Sequence, residues 1–138
     1  MGSGITTVVD GDETVRALII EDETLIAFLL EETLESMGYT ELKVAATQAE
    51  AVRLAREFPP ALVTTDVRLL AGCGIDAALA ICAERPVPVV FVTGNATRVR
   101  RRILEPVIVE KPFSPEALAP AIERARASPG LRPAIASV

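Results

Sequence analysis

Three carboxylates, a hydroxyl and an ammonium stand at the ends of short apolar runs that lie far apart in this chain. Leu18-Ile19-Ile20 leads into Glu21-Asp22, Ala61-Leu62-Val63-Thr64-Thr65 into Asp66, and Val107-Ile108-Val109-Glu110 into Lys111-Pro112-Phe113. A fourth run, Val87 to Val92, ends in Thr93-Gly94. Carboxylate oxygens with open positions suit Mg²⁺ or Mn²⁺, hard cations of which Mg²⁺ keeps part of its water shell and bridges to phosphoryl oxygens. A lysine ammonium and a threonine hydroxyl suit those same phosphoryl oxygens during transfer. Asp66 has two open roles, metal ligand or the nucleophile of an aspartyl phosphate.

Other chemistries are excluded or disfavoured. The chain has no histidine, which removes Ser-His-Asp and Cys-His pairs, His-based zinc sites and imidazole acid–base catalysis. A nucleotide phosphate at the first turn wants glycines and backbone N–H groups, whereas Glu21, Asp22 and Glu23 stand there. Three acids repel a phosphate unless a divalent cation lies between them.

These residues need a scaffold that gathers strand ends. Short β-branched runs separated by helical patterns read as parallel strands, and ligands of such sheets sit at the carboxyl ends of the strands. The spacing predicts strands at 15–21, 42–46, 61–65, 87–92 and 107–110. Helices are expected over 24–37, from Thr47 to near Phe58, and over 75–84, 96–104 and 115–127. The first carries an apolar stripe at Ile26, Leu29, Leu30, Thr33 and Met37, ending at Gly38. Thr47-Gln48-Ala49-Glu50 has capping-box spacing, and Ser114-Pro115 marks the last helix start. Five β–α units in strict alternation give an α/β, doubly wound, five-stranded parallel sheet in the order 2-1-3-4-5.

The 138 residues suffice for one domain with one core, and the 50% apolar composition is globular. Residues 1–14 read as a disordered extension or a cloning scar, 15–127 as the domain and 128–138 as a flexible tail. No apolar stretch is long enough for a bilayer and no secretory signal is visible. Cys73 and Cys82 make no disulfide framework and read as reduced fillers, so a soluble cytoplasmic protein is expected. A net charge of −5 disfavours direct nucleic-acid binding. Arg98, Arg100, Arg101 and Arg102 form a local basic cluster, read first as a solvated face and second as a docking face for an acidic partner.

The acidic pair Glu21-Asp22, Asp66, Thr93-Gly94, Lys111-Pro112-Phe113, and Gly74 eight residues beyond Asp66 together resemble the receiver domain of bacterial response regulators. The resemblance covers Val15 to about Ala127 and implies a flavodoxin-like receiver fold. It implies that Asp66 is the phosphoacceptor and also a metal ligand, and that Asp22 binds Mg²⁺ (or Mn²⁺) directly. Glu21 would help through water, the Arg68 backbone carbonyl would complete the protein's ligands, and Thr93 and Lys111 would contact the attached phosphoryl group. It also implies a cis Lys111–Pro112 peptide, a histidine kinase or histidine phosphotransfer protein as donor, and an unidentified downstream protein.

Three departures fall outside the site. Leu70 stands where receivers usually carry a proline, Ile108 stands where they often carry an aromatic, and the stretch from Thr93 to Lys111 is short. The run Pro88 to Gly94 resembles that of atypical stand-alone receivers. The expected function is a single-domain response regulator, a phosphoacceptor rather than an enzyme in its own right. The alternatives are a receiver excised from a larger hybrid kinase or regulator, and a phosphorylation-independent interaction module. A haloacid-dehalogenase-type phosphohydrolase is disfavoured, because Arg68 occupies the place of its second aspartate.

Overall fold

A computed structural model describes residues 14–134, so the expectations for the first 13 residues and for 135–138 lie outside the described residues. The elements run β1 (Arg16–Ile20), α1 (Thr24–Ser36), β2 (Glu41–Ala45), α2 (Gln48–Glu57), β3 (Leu62–Thr65) and α3 (Gly74–Glu84), then β4 (Val89–Thr93), α4 (Ala96–Arg102), β5 (Ile108–Glu110) and α5 (Pro115–Ala127). All strands are parallel and the sheet order is β2-β1-β3-β4-β5. The expected doubly wound α/β topology is therefore the observed one.

Strand alternation explains the two cores. Leu18, Ile20, Val63, Val89 and Phe91 face α2, α3 and α4, packing on Ala51, Ile75, Ala78, Ile81 and Val99. Ala17, Ile19, Leu62, Val90, Val92 and Val109 face α1 and α5, packing on Leu30, Leu34, Leu118 and Ile122. Both faces of the central strands are dry, which is why they read as unbroken apolar runs.

Local signals act largely as expected. Thr47 Oγ1 accepts from the Glu50 amide at 3.1 Å, while Glu50 Oε1 accepts from the Ala46 amide at 3.0 Å, one residue before the N-cap. Ser114 precedes α5 but makes no side-chain cap, and Pro115 supplies the start through its fixed φ. The Lys111–Pro112 peptide is cis. α4 has only seven residues, in line with the short Thr93–Lys111 stretch.

Two expectations need correction. The apolar stripe expected on α1 holds only in part: Leu30 is buried and Ile26 packs on the core beside Ala27 and Leu34, whereas Leu29 and Met37 are exposed, as are Leu25 and Phe28. The helix carries apolar residues most of the way round, so periodicity alone does not select its inward face.

The flexible tail expected from 128 onward does not describe residues 128–134. Leu104 N donates to Arg132 O and Ala134 N to Arg102 O, both at 2.8 Å, and Gly130 N donates to Val87 O at 2.9 Å. Leu131 joins the core under α3 and α4. Tertiary partners hold this segment despite its Pro and Gly content. Among the described residues, no helix is long and apolar enough to cross a membrane.

Candidate functional site

The parallel register brings the loaded strand ends to one edge. β3 lies between β1 and β4, so Asp66 emerges at the centre, with the β1 acids on one side and Thr93 on the other. Thr93 pairs in register with Glu110, which places Lys111 one residue beyond the sheet. Of the residues expected at the site, Glu21, Asp66, Thr93 and Lys111 are brought together there. Asp22 sits exposed beside them.

Asp66 is 9% exposed and both carboxylate oxygens are engaged. Oδ1 accepts from the Val67 amide at 2.7 Å, and Oδ2 accepts from Lys111 Nζ at 2.7 Å. The Val67 amide lay beyond sequence reasoning, because a main-chain donor has no residue signature.

Lys111 gathers the acids. Its ammonium also lies 3.0 Å from Glu21 Oε1 and 3.7 Å from Glu23 Oε1. Burial pulls its pKa down, but the hydrogen bond to Asp66 and the close carboxylate of Glu21 outweigh that and hold it above the ordinary value. Glu21 is 2% exposed, and burial pushes its carboxyl up despite the nearby Lys111 ammonium and the Glu23 amide, which Oε2 accepts at 3.1 Å. The contact of Oε1 with Lys111 is close but not aligned as a hydrogen bond, so this oxygen is buried without a hydrogen-bond partner.

Thr93 is fully buried, and its Oγ1 accepts from the Asn95 amide at 3.0 Å. Its O–H remains able to donate toward the edge. The same hydrogen bond ties Thr93 to the N-cap residue of α4. On that helix Arg98, Arg100 and Arg101 are exposed, and Arg102 pairs with Asp76 at 2.8 Å.

Among the described residues no three acids converge tightly enough to cage a metal ion by themselves, because Lys111 stands between Glu21 and Asp66. The donor set nonetheless fits Mg²⁺. Every candidate donor is an oxygen, one buried carboxylate oxygen lacks a hydrogen bond, and three acids lie within 4 Å of one ammonium. An incomplete protein shell suits a cation that keeps several waters.

Gly74 shapes the edge from below. A Cβ there would lie 1.6 Å from the Asp66 carbonyl oxygen, so α3 begins in direct contact with the backbone of the central acid. Only a residue without a side chain fits.

The family model for the response regulator receiver domain matches residues 17–123. The chain is 39% identical over 127 residues to the transcriptional regulatory protein PdtaR of Mycobacterium tuberculosis, covering 89% of this chain and 62% of that protein. The solution structure of the receiver domain of the Erythrobacter litoralis PhyR response regulator aligns with a TM-score of 0.76 and 31% identity, over 88% of this chain and 97% of that one. A receiver domain of the Pseudomonas aeruginosa sensor histidine kinase PA1611, with magnesium coordinated in its active-site cleft, aligns with a TM-score of 0.70 and 27% identity, over 84% of this chain and all of that one. The chain spans about half the length of the curated relatives it matches.

Proposed function

This chain belongs to the response regulator receiver domain family, and we propose that it accepts a phosphoryl group on Asp66 from a phosphohistidine of a kinase or phosphotransfer protein. The observation that carries this reading is the central Asp66 carboxylate, held by Lys111 Nζ at 2.7 Å and flanked by a buried Glu21. In the transfer an Asp66 carboxylate oxygen attacks phosphorus, forming a P–O bond while the P–N bond to the donor imidazole breaks. The imidazole leaves with the bonding electron pair and takes up a proton.

Asp22, Asp66 and the Arg68 carbonyl would hold Mg²⁺, with Glu21 acting through water. When bound, Mg²⁺ supplies positive charge that offsets the acids of this edge and the incoming phosphoryl oxygens. Lys111 is positioned to exchange its bond with Asp66 for one to the phosphoryl group, and the Thr93 hydroxyl to donate to another of its oxygens. Phosphorylation adds about −1.5 to −2 charges. The Thr93–Asn95 bond then carries movement of Thr93 into the start of α4 and its exposed arginines.

The domain would work in the cytoplasm and signal through protein contacts rather than through catalysis. Acting alone, 15–127 would form the whole regulator. The share of its relatives' length that it spans also favours a second reading, the receiver part of a longer chain.

Labelling with radioactive acetyl phosphate and Mg²⁺ tests the assignment. The wild-type chain should be labelled and Asp66→Asn should not. Label retained in the Asn variant, or absent from the parent, refutes it.

A further inference from the structure

We propose that Gln48 is a positioning residue for the metal-binding part of this site, acting through the loop that follows Asp66. The inference rests on the phosphoacceptor reading above and names a further residue on which that site depends.

Residues 67–73 connect Asp66 to α3 and carry the Arg68 carbonyl. Among the described residues this carbonyl accepts no hydrogen bond, which leaves it available to a cation. Val67 and Leu69 anchor the loop in the core, Arg68 and Leu70 are exposed, and backbone ties hold the rest, with no proline to restrict it. Leu70 N donates to Ala46 O at 3.0 Å, and Gly74 N donates to Val67 O at 2.7 Å. Two further ties run to Gln48.

Gln48 grips the loop on either side of Gly72. Its backbone N–H donates to Ala71 O at 2.9 Å, and its side-chain Oε1 accepts from Cys73 N at 3.0 Å. Gly72 turns between these two contacts at φ 85°, in the left-handed region that suits glycine. A Cβ on Gly72 would lie 2.5 Å from Gln48 Cβ and 2.6 Å from Oε1, so the loop is seated directly on this side chain.

The two ties differ in kind. Gln48 is the first residue of α2, and its N–H is one of the helix donors without an intrahelical acceptor. The Ala71 carbonyl satisfies it at the positive end of the helix, and almost any residue at 48 could supply that bond. The Oε1 contact is specific to a side chain that carries an acceptor at the same reach. Removing it leaves the Cys73 amide without its partner and frees the turn that sets the Arg68 segment.

A loop that spends only part of its time in the competent arrangement binds its cation more weakly by that fraction. Gln48→Met keeps length and helix propensity but removes the acceptor. Gln48→Glu keeps an acceptor in the same place.

Titration of the full chain with Mg²⁺ alone, followed by backbone amide shifts of residues 66–74, tests the proposal. Gln48→Met should raise the apparent Kd by about tenfold, as expected when a tenth of the loops are competent. Gln48→Glu should restore affinity to at least the wild-type value. Acetyl phosphate labelling of Gln48→Met should recover to the wild-type rate at saturating Mg²⁺. Gln48→Ala, checked with Gln48→Met for wild-type circular dichroism, should repeat the loss.

Wild-type Mg²⁺ affinity in both acceptor-free variants, or equal weakening in Gln48→Glu, would overturn the role of Gln48 while leaving Asp66 labelling intact. A wild-type chain that takes neither Mg²⁺ at this edge nor label on Asp66 would overturn the phosphoacceptor reading and this inference with it.

Discussion

Replacing Gly74 with alanine places a methyl group against the backbone of the phosphoacceptor, and two opposing effects decide the outcome. Gly74 is the first residue of α3 and has no left-handed φ, so alanine brings a helix-propensity gain of at most about 1 kcal/mol. Against that, the new Cβ would meet Asp66 O at 1.6 Å, Thr65 Oγ1 at 2.5 Å and the Asp66 carbonyl carbon at 2.8 Å. Ordinary contacts begin near 3.4 Å, so the first must open by almost 2 Å. Two of these atoms are backbone at the end of a central strand, and no flexible side chain can absorb the movement.

Overpacking of this kind costs about 1–3 kcal/mol, and more where backbone must shift. The clash wins, and a net loss of about 1–2 kcal/mol, or more where the backbone must shift, is expected once the propensity gain is subtracted. The displaced Asp66 also leaves the Val67 amide and Lys111 ammonium that orient it. A misplacement of about 1 Å lowers a positioned reaction by about a hundredfold. Urea unfolding and the rate of labelling by acetyl phosphate read the two effects separately. A Gly74→Ala chain with wild-type stability and wild-type labelling would refute the packing argument.

Thr64 presents a fully buried hydroxyl without a hydrogen-bond partner, so isosteric Thr64→Val should stabilise the fold by about 1 kcal/mol and raise Tm by about 4 °C. Lower or unchanged stability in a thermal melt would contradict this. Tyr39 is the only tyrosine, and burial first, then Glu123, raise its phenol above the ordinary value while Arg126 opposes them. The stability held by its neutral form is complete below the unfolded-state value of about 10 and is lost as pH rises through the folded value. Tyrosinate absorbance should therefore rise only above about pH 10, and ionisation centred at about pH 10 would count against it. The exposed apolar face Leu25, Phe28 and Leu29 flanks the acidic edge, so Phe28→Ser should slow transfer from a histidine-phosphorylated protein by about tenfold. Labelling by acetyl phosphate should stay unchanged, and equal slowing with both donors would argue against docking at this face.

The strand ends were legible because a parallel sheet makes sequence position and spatial position coincide. Asp66, Thr93 and Lys111 each close a short apolar run, and register alone brings them to one edge. α1 was harder to read, because Leu25, Phe28 and Leu29 are as apolar as the Leu30 and Leu34 that point inward. The segment 128–134 looked loose from its Pro and Gly content, whereas its order comes from Arg102, Leu104 and Val87, partners distant in sequence. Gln48 left no trace beyond a helix start, since its acceptor role depends on a contact 25 residues away. The Asp66–Lys111 bond spans 45 residues and follows from topology, but the placement of Lys111 between Glu21 and Asp66 required coordinates.

The central claim is that Asp66 becomes an acyl phosphate. The most direct measurement is transfer from a histidine-phosphorylated donor protein in the presence of Mg²⁺, followed by borohydride reduction and peptide mapping. The label should be hydroxylamine-sensitive, and residue 66 alone should be converted to homoserine. A label that resists hydroxylamine, or that maps to a serine, a threonine or another acid, would contradict it.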